Sequence, residues 1–277
     1  MPILIQSLMK SSKNSYIDYR GQIMNQKGKL MTYNTWVFVI GGGKFGEKAL
    51  KYYEKTDKSL LFFDVNKNQL AFKGLKIIRA QDFSFNQGNK LLGIQGSVRE
   101  LFKILLKGFP DYIIPTAPIH VMAHLFSKYF QLWKVQVQEM DISNKLMNEL
   151  EKKKEMGNFP NHLIYSKQKN HLFFSYAPLG KSCPDSCMGK PGYCSYHKIQ
   201  KGKTVTNVLQ EFFKEKSTII FKSHQISAGL GGIRGDDIKS IVLNLKNALP
   251  LLKLPKTVYI GTSCNCHGVV DKLELSK

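Results

Sequence analysis

The sequence predicts an α/β fold in two parts, an N-terminal parallel sheet with helices on both faces and a C-terminal α/β domain. Three observations predict it. Strand and helix patterns alternate from residue 36 to about residue 140. The apolar run Trp36-Val37-Phe38-Val39-Ile40 ends in glycines, as a strand buried on both faces does. The last part of the chain carries a strand–helix–strand pattern of its own. At 277 residues and 43% hydrophobic content, the chain is large enough to bury a core without disulfide staples.

Residues 1–35 are polar and weakly patterned, with Ser11, Ser12, Asn14 and Ser15 clustered, and read as an N-terminal extension. Residues 36–143 form the first domain. After the strand Trp36–Ile40 comes a helix from Lys44 to Lys55, with Phe45, Ala49, Tyr52 and Tyr53 on one stripe. Leu60 to Phe63 is a second buried strand closed by Asp64, and the third is either Leu75 to Ile78 or Lys90 to Ile94. A helix from Val98 to Leu106, a strand from Asp111 to Ile114 and a helix from about Ile119 to Phe130 complete the alternation. Residues 144–277 form the second domain. It begins with a charged helix, Asn144 to Glu155, and continues with strands at His162 to Tyr165 and Leu172 to Tyr176. A Gly/Pro-rich cysteine loop follows. Then come a strand at Ser217 to Lys222, a helix from Asp236 to Leu249 and a closing strand at Thr257 to Ile260.

The formal charge of +21 invites a nucleic-acid reading, but the basic residues argue against it. Of 41, only Arg20, Arg79, Arg99 and Arg234 are arginine, the side chain whose donor fork suits phosphates and guanine edges. The lysines are spread along the chain without a basic block, so the charge implies attraction for small anions and no nucleic-acid partner. No apolar stretch is long enough to span a bilayer, and Pro2 to Met9 lacks the charge order of a secretory signal. The expectation is a cytoplasmic protein without a membrane partner.

The segment from Val37 to Gly46 carries G-x-G-x-x-G directly between strand and helix. Gly41 permits a tight turn, Gly43 lets a pyrophosphate approach the backbone, and Gly46 lets the helix pack close to the sheet. Asp64 closes the next strand, where a carboxylate accepts hydrogen bonds from a ribose diol. On these residues the chain resembles the Rossmann-fold NAD(P)-binding oxidoreductases, from about Trp36 to Met140. The resemblance implies a Rossmann-like sheet with a dinucleotide across the carboxyl ends of its strands. Gly41, Gly42, Gly43, Lys44, Phe45 and Gly46 would then meet the pyrophosphate, and Asp64 with Asn66 the adenosine ribose. Asp64 repels a 2′-phosphate and so favours NAD over NADP, with Lys67 as a contrary charge. Gln95 and Gly96, or Ala80 and Gln81 if the earlier strand is third, would lie near adenosine. Thr116, Ala117 and Pro118 would lie near nicotinamide, and His120 is the candidate catalytic acid–base. A homodimer and a small-molecule substrate are also implied.

All five cysteines follow residue 180: Cys183, Cys187, Cys194, Cys264 and Cys266, with His197 and His267 among them. An odd count argues against a disulfide framework. Soft ligands in this number suit zinc or an iron–sulfur cluster; redox-active thiols and plain unpaired cysteines are the other readings. The glycine-rich segment Ser227 to Gly235 reads as a connecting turn or, with Arg234, an anion nest. The resulting function is an NAD-dependent oxidoreductase with its substrate between the two domains. Its proton would be handled by His120 or by a group of the second domain such as His224, Arg234 or a cysteine. The alternative is a nucleotide-sensing module without catalysis.

Overall fold

The computed structural model describes residues 15–17, 23–25, 35–88, 90–168 and 170–277. In the N-terminal extension, β1 (Ser15–Ile17) and β2 (Ile23–Asn25) pair antiparallel; the rest of residues 1–34, including the run Pro2 to Met9, lies outside the described residues.

The first large sheet has seven strands and is mixed. Its parallel part consists of β3 (Trp36–Ile40), β4 (Ser59–Asp64), β5 (Lys76–Ile77), β6 (Leu91–Gln95) and β7 (Tyr112–Pro115). Both candidates for the third strand are therefore strands of this sheet, with β6 beside β4 and β5 at the edge. The spatial order is β5-β6-β4-β3-β7. The all-parallel expectation needs correcting at the β7 edge. Further along the chain, β8 (Gln136–Met140), β9 (Ile164–Gln168) and β10 (His171–Ser175) belong to a second sheet. The short pair β11 (Tyr193–Cys194) and β12 (Ile199–Gln200) follows, and then β13 (Thr218–Lys222). The hairpin of β14 (His224–Ser227) and β15 (Leu230–Arg234) returns to the first sheet, where β15 lies antiparallel to β7. An unpaired β7 edge would leave backbone donors and acceptors open, and this hairpin satisfies them. The glycine-rich segment is thus a strand, not a connecting turn or nest: Gly231 and Gly232 sit in β15 and only Ala228 and Gly229 turn.

The second sheet has six strands and ends in β16 (Lys256–Ser263) and β17 (His267–Ser276). β13 and β16 are parallel, giving the predicted β–α–β unit, but the chain does not close there. β17 pairs with β16 along its length, with β10 over residues 267–271 and with β8 over residues 272–276.

Helices fill the spaces between the sheets. α1 (Lys44–Tyr53) covers the face of the first sheet formed by Val37, Val39, Leu60 and Phe62. α2 (Val98–Leu105), α3 (Val121–Leu132) and the later α6 (Gly235–Ala248) lie on the opposite face. α2 starts from a capping box, Ser97 with Glu100, and α3 is buried on most of its surface. The core around α3 is continuous from Phe38 and Ile113 of the first sheet to Phe221, Ile260 and Leu273 of the second. α4 (Asn144–Glu155) and α5 (Val205–Phe212) cover the far face of the second sheet. Among the described residues no helix is long and apolar enough to cross a membrane.

Candidate functional site

The glycine loop lies between β3 and α1, and its glycines meet three different environments. Gly41 has φ +111°, and a Cβ there would stand 2.7 Å from the backbone nitrogen of Ala117. A Cβ on Gly46 would collide with the carbonyl oxygen of Gly41. Both are therefore required by packing. Gly43 has ordinary extended φ of -71°, and the nearest atom to its Cβ position is Gln69 Oε1 at 3.9 Å. Nothing in the fold demands glycine there. Gly43 is also the N-cap of α1 and offers no side-chain cap to the first-turn amides. Asp64 lies at the end of β4. Its Oδ2 accepts from the Gly42 amide at 2.6 Å and its Oδ1 from the Asn66 amide at 2.8 Å. A carboxylate has about four acceptor sites, so two remain. The Lys44 ammonium is turned away into an ion pair with Asp185, and Lys48 donates to the carbonyl of the same residue.

Gln95 and Gly96, as well as Ala80 and Gln81, line one broad cleft of about 1090 Å³ beside Val65 at the carboxyl ends of β4 and β6. Both alternative adenosine-side pairs therefore occupy the same place. On the other side of the glycine loop, the Thr116 hydroxyl donates to the carbonyls of Ile40 and Gly41, which sets the β7–α3 loop directly on Gly41. That loop carries Ala117, Pro118 and, as the N-cap residue of α3, His120.

His120 is buried, and its ring is held from the second sheet. Nε2 lies 2.9 Å from Thr262 Oγ1, and Nδ1 lies 3.0 Å from Asp271 Oδ1, out of line for a full hydrogen bond. Asp271, 1% exposed, also holds His171 Nδ1 at 2.7 Å, and its Oδ2 has no partner among the described residues. His120 and Thr262 face a cleft of about 350 Å³, lined also by Ser223, Gly231, Cys264 and His267. An adjoining hollow is lined by Pro118, His120 and His171. A buried carboxylate beside an imidazole that meets a hydroxyl can orient the ring and pass a proton to the cleft. Of the other proton-handling candidates, His224 and Arg234 both lie near Asp237, at 3.6 and 3.8 Å.

Sequence reading found His120 but missed Thr262, His171 and Asp271. The signal was present. Val269, Leu273 and Leu275 share a period of two with Asp271, so the strand pattern itself places a carboxylate at a core-facing position.

The cysteines divide. Cys183, Cys187, Cys194 and Cys266 line one cavity of about 670 Å³ with His197 and Lys201, whereas Cys264 faces the His120 cleft. Burial, together with the neighbouring thiols Cys187, Cys266 and Cys194, pushes the Cys183 thiol up to about 11. Among the described residues, no three His, Cys, Asp or Glu side chains converge as a single metal ion requires. The five-cysteine set is thus not gathered at one point. The 183–187 loop is anchored to α1 through Asp185, and Cys187 O accepts from Gly229 N at 2.7 Å.

A protein of Archaeoglobus fulgidus, described as an uncharacterized protein, is 26% identical over 239 residues, covering 85% of this chain and 98% of that relative. No solved structure matches. Residues 37–121 match a family model described as the N-terminal domain of an uncharacterized protein, AF_1314_N. Residues 131–276, more than half of the chain, match its counterpart, AF_1314_C, described as the C-terminal domain, and the chain therefore belongs to the AF_1314 family.

Proposed function

We propose that this protein is an NAD(H)-binding oxidoreductase that acts on a small substrate in the cleft between its two sheets. The observation that carries this reading is Gly43. Gly41 and Gly46 are demanded by backbone contacts and Gly42 is crowded by Gln69 and Phe72, but Gly43 leaves open space at the uncapped start of a helix. An anionic pyrophosphate is the ligand that such a place suits. The strand order β6-β4-β3-β7 supports the same reading, because it matches the first half of a Rossmann fold counted 3-2-1-4. Asp64 stands where it would receive the ribose hydroxyls.

When bound, the dinucleotide supplies hydride transfer; the chain supplies the rest. Thr116 fixes the loop under the nicotinamide side, and Asp271 holds the His120 ring while Thr262 bridges it toward the cleft. A buried, oriented histidine facing a hollow favours chemistry over sensing, since a sensor has no use for a proton donor there.

Calorimetric titration with NAD, NADH, NADP and NADPH tests the proposal. We expect micromolar affinity for NAD or NADH, weakened at least about tenfold in Asp64→Ala, which corresponds to about 1.4 kcal/mol. Absence of binding by all four would end it. Tight NADPH binding indifferent to Asp64→Ala would refute the ribose assignment.

A further inference from the structure

The cavity of Cys183, Cys187, Cys194 and Cys266 adjoins the His120 cleft, since Cys183 Sγ lies 3.5 Å from Nε2 of His267 in that cleft's lining, but it has no part in the function proposed above. Its most unusual member is Lys201. That side chain is 1% exposed, yet among the described residues no carboxylate lies within ion-pair distance. Its ammonium donates to the Lys190 carbonyl and, at 3.1 Å, to Cys266 Sγ. A buried cation without an anion is costly by several kcal/mol. Neutral thiols do not relieve that cost; thiolates carrying a metal do.

Backbone amides approach the sulfurs of Cys187 and Cys194, as they do that of Cys264. The Gly189 amide lies 3.4 Å from Cys187 Sγ, and the His197 amide lies 3.4 Å from Cys194 Sγ. Backbone donors aimed at cysteine sulfur stabilise thiolate over thiol. Both donors sit in tight turns with positive φ: Gly189 at +55° and, next to His197, Lys198 at +56°. The Tyr176 hydroxyl lies within hydrogen-bonding distance, 2.6 Å, of the Lys201 and Lys203 carbonyls and fixes the backbone beneath the cavity.

We propose that Cys183, Cys187, Cys194 and Cys266 ligate an iron–sulfur cluster, with Lys201 as its buried counter-charge. Four cysteines are the usual ligand set of such clusters. A mononuclear tetrahedral ion draws its sulfurs to about 2.3 Å from one point. Here the four cysteines line one cavity of about 670 Å³, which has room for a group larger than a single ion. Cys264 is outside the ligand set.

The test uses the full chain, isolated without oxygen and reconstituted with ferrous iron and sulfide. We expect iron and acid-labile sulfide in equal amounts, about two or four of each per chain, with broad visible absorption. Cys187→Ser and Cys194→Ser should each lose most of both, while Cys264→Ser keeps them. Circular dichroism of each variant separates ligand loss from unfolding. Lys201→Met gives an independent readout: with a positive charge removed, the reduction potential becomes more negative. One zinc per chain without sulfide overturns the proposal, as does a folded wild-type protein that takes up no iron. Full cluster content in Cys194→Ser, or its loss in Cys264→Ser, overturns the ligand assignment. None of these readouts involves a dinucleotide, so failure here and failure of NAD binding are separate results.

Discussion

At the scale of single residues, the first, third and sixth positions of the glycine motif, Gly41, Gly43 and Gly46, have different reasons to exist. Gly41→Ala forces a side chain into positive φ against Ala117, and Gly46→Ala drives one into the Gly41 carbonyl. Each should lower stability by about 1–3 kcal/mol, read from the denaturation midpoint. Gly43→Ala should leave stability within about 0.5 kcal/mol, since that position is open. Asp271 sets a second residue-scale prediction. His171 turns Nδ1 into a hydrogen bond with its Oδ1, so when neutral that ring should carry its proton on Nδ1. Nitrogen chemical shifts of the labelled imidazole check this; an Nε2–H tautomer at His171 contradicts it. The glycine spacing, Asp64 and His120 were legible from local pattern. Thr262 and Lys201 were not, because their partners lie 142 and 65 positions away; Asp271 was legible as a core-facing carboxylate, but not its histidine partners.

At the scale of elements, the most consequential piece is the β14–β15 hairpin. Its turn residue Gly229 has φ +65°, and a Cβ there would strike the Asp185 carbonyl, with Lys48 Nζ at 3.0 Å. One turn therefore holds the cysteine loop, the hairpin and α1 together. Gly229→Ala should destabilise by about 2 kcal/mol or more. It should also speed alkylation of Cys183 and Cys187 in metal-free protein; unchanged alkylation would show that the contact does not shield the loop. The sequence reading made this segment a connecting turn because glycine is read as a breaker. Ser223 closes on Gly231, and Ile226 with Tyr112 on Gly232, so glycine lets these side chains pack against the strand. β17 was missed because the strand Thr257 to Ile260 was taken as the closing one. The continuous apolar runs of β3 and β4 and the apolar stripes of the helices were strong enough to be read directly.

At the scale of the molecule, the two sequence regions share one core. α3 packs between the sheets, with Phe126 against Phe221 at 5.0 Å between ring centres, and Ile260 and Leu273 belong to the same apolar cluster as Phe38. The first sheet also takes two of its strands from the second half of the chain. Residues 36–143 expressed alone should therefore show no cooperative melting, whereas the whole chain should unfold in one transition. Two separate calorimetric transitions would contradict this. The alternation that predicts an α/β fold carries no information on such sharing, since hairpin and partner strand are more than a hundred residues apart.

The central claim is that the opening at Gly43 exists for a dinucleotide pyrophosphate. Its most direct measurement compares NADH affinity of wild type and Gly43→Val, with the melting temperature of each recorded alongside. The account predicts micromolar binding by wild type, no measurable binding by the variant, and nearly equal melting temperatures. Equal affinity in both proteins, or no binding to wild type, would contradict it.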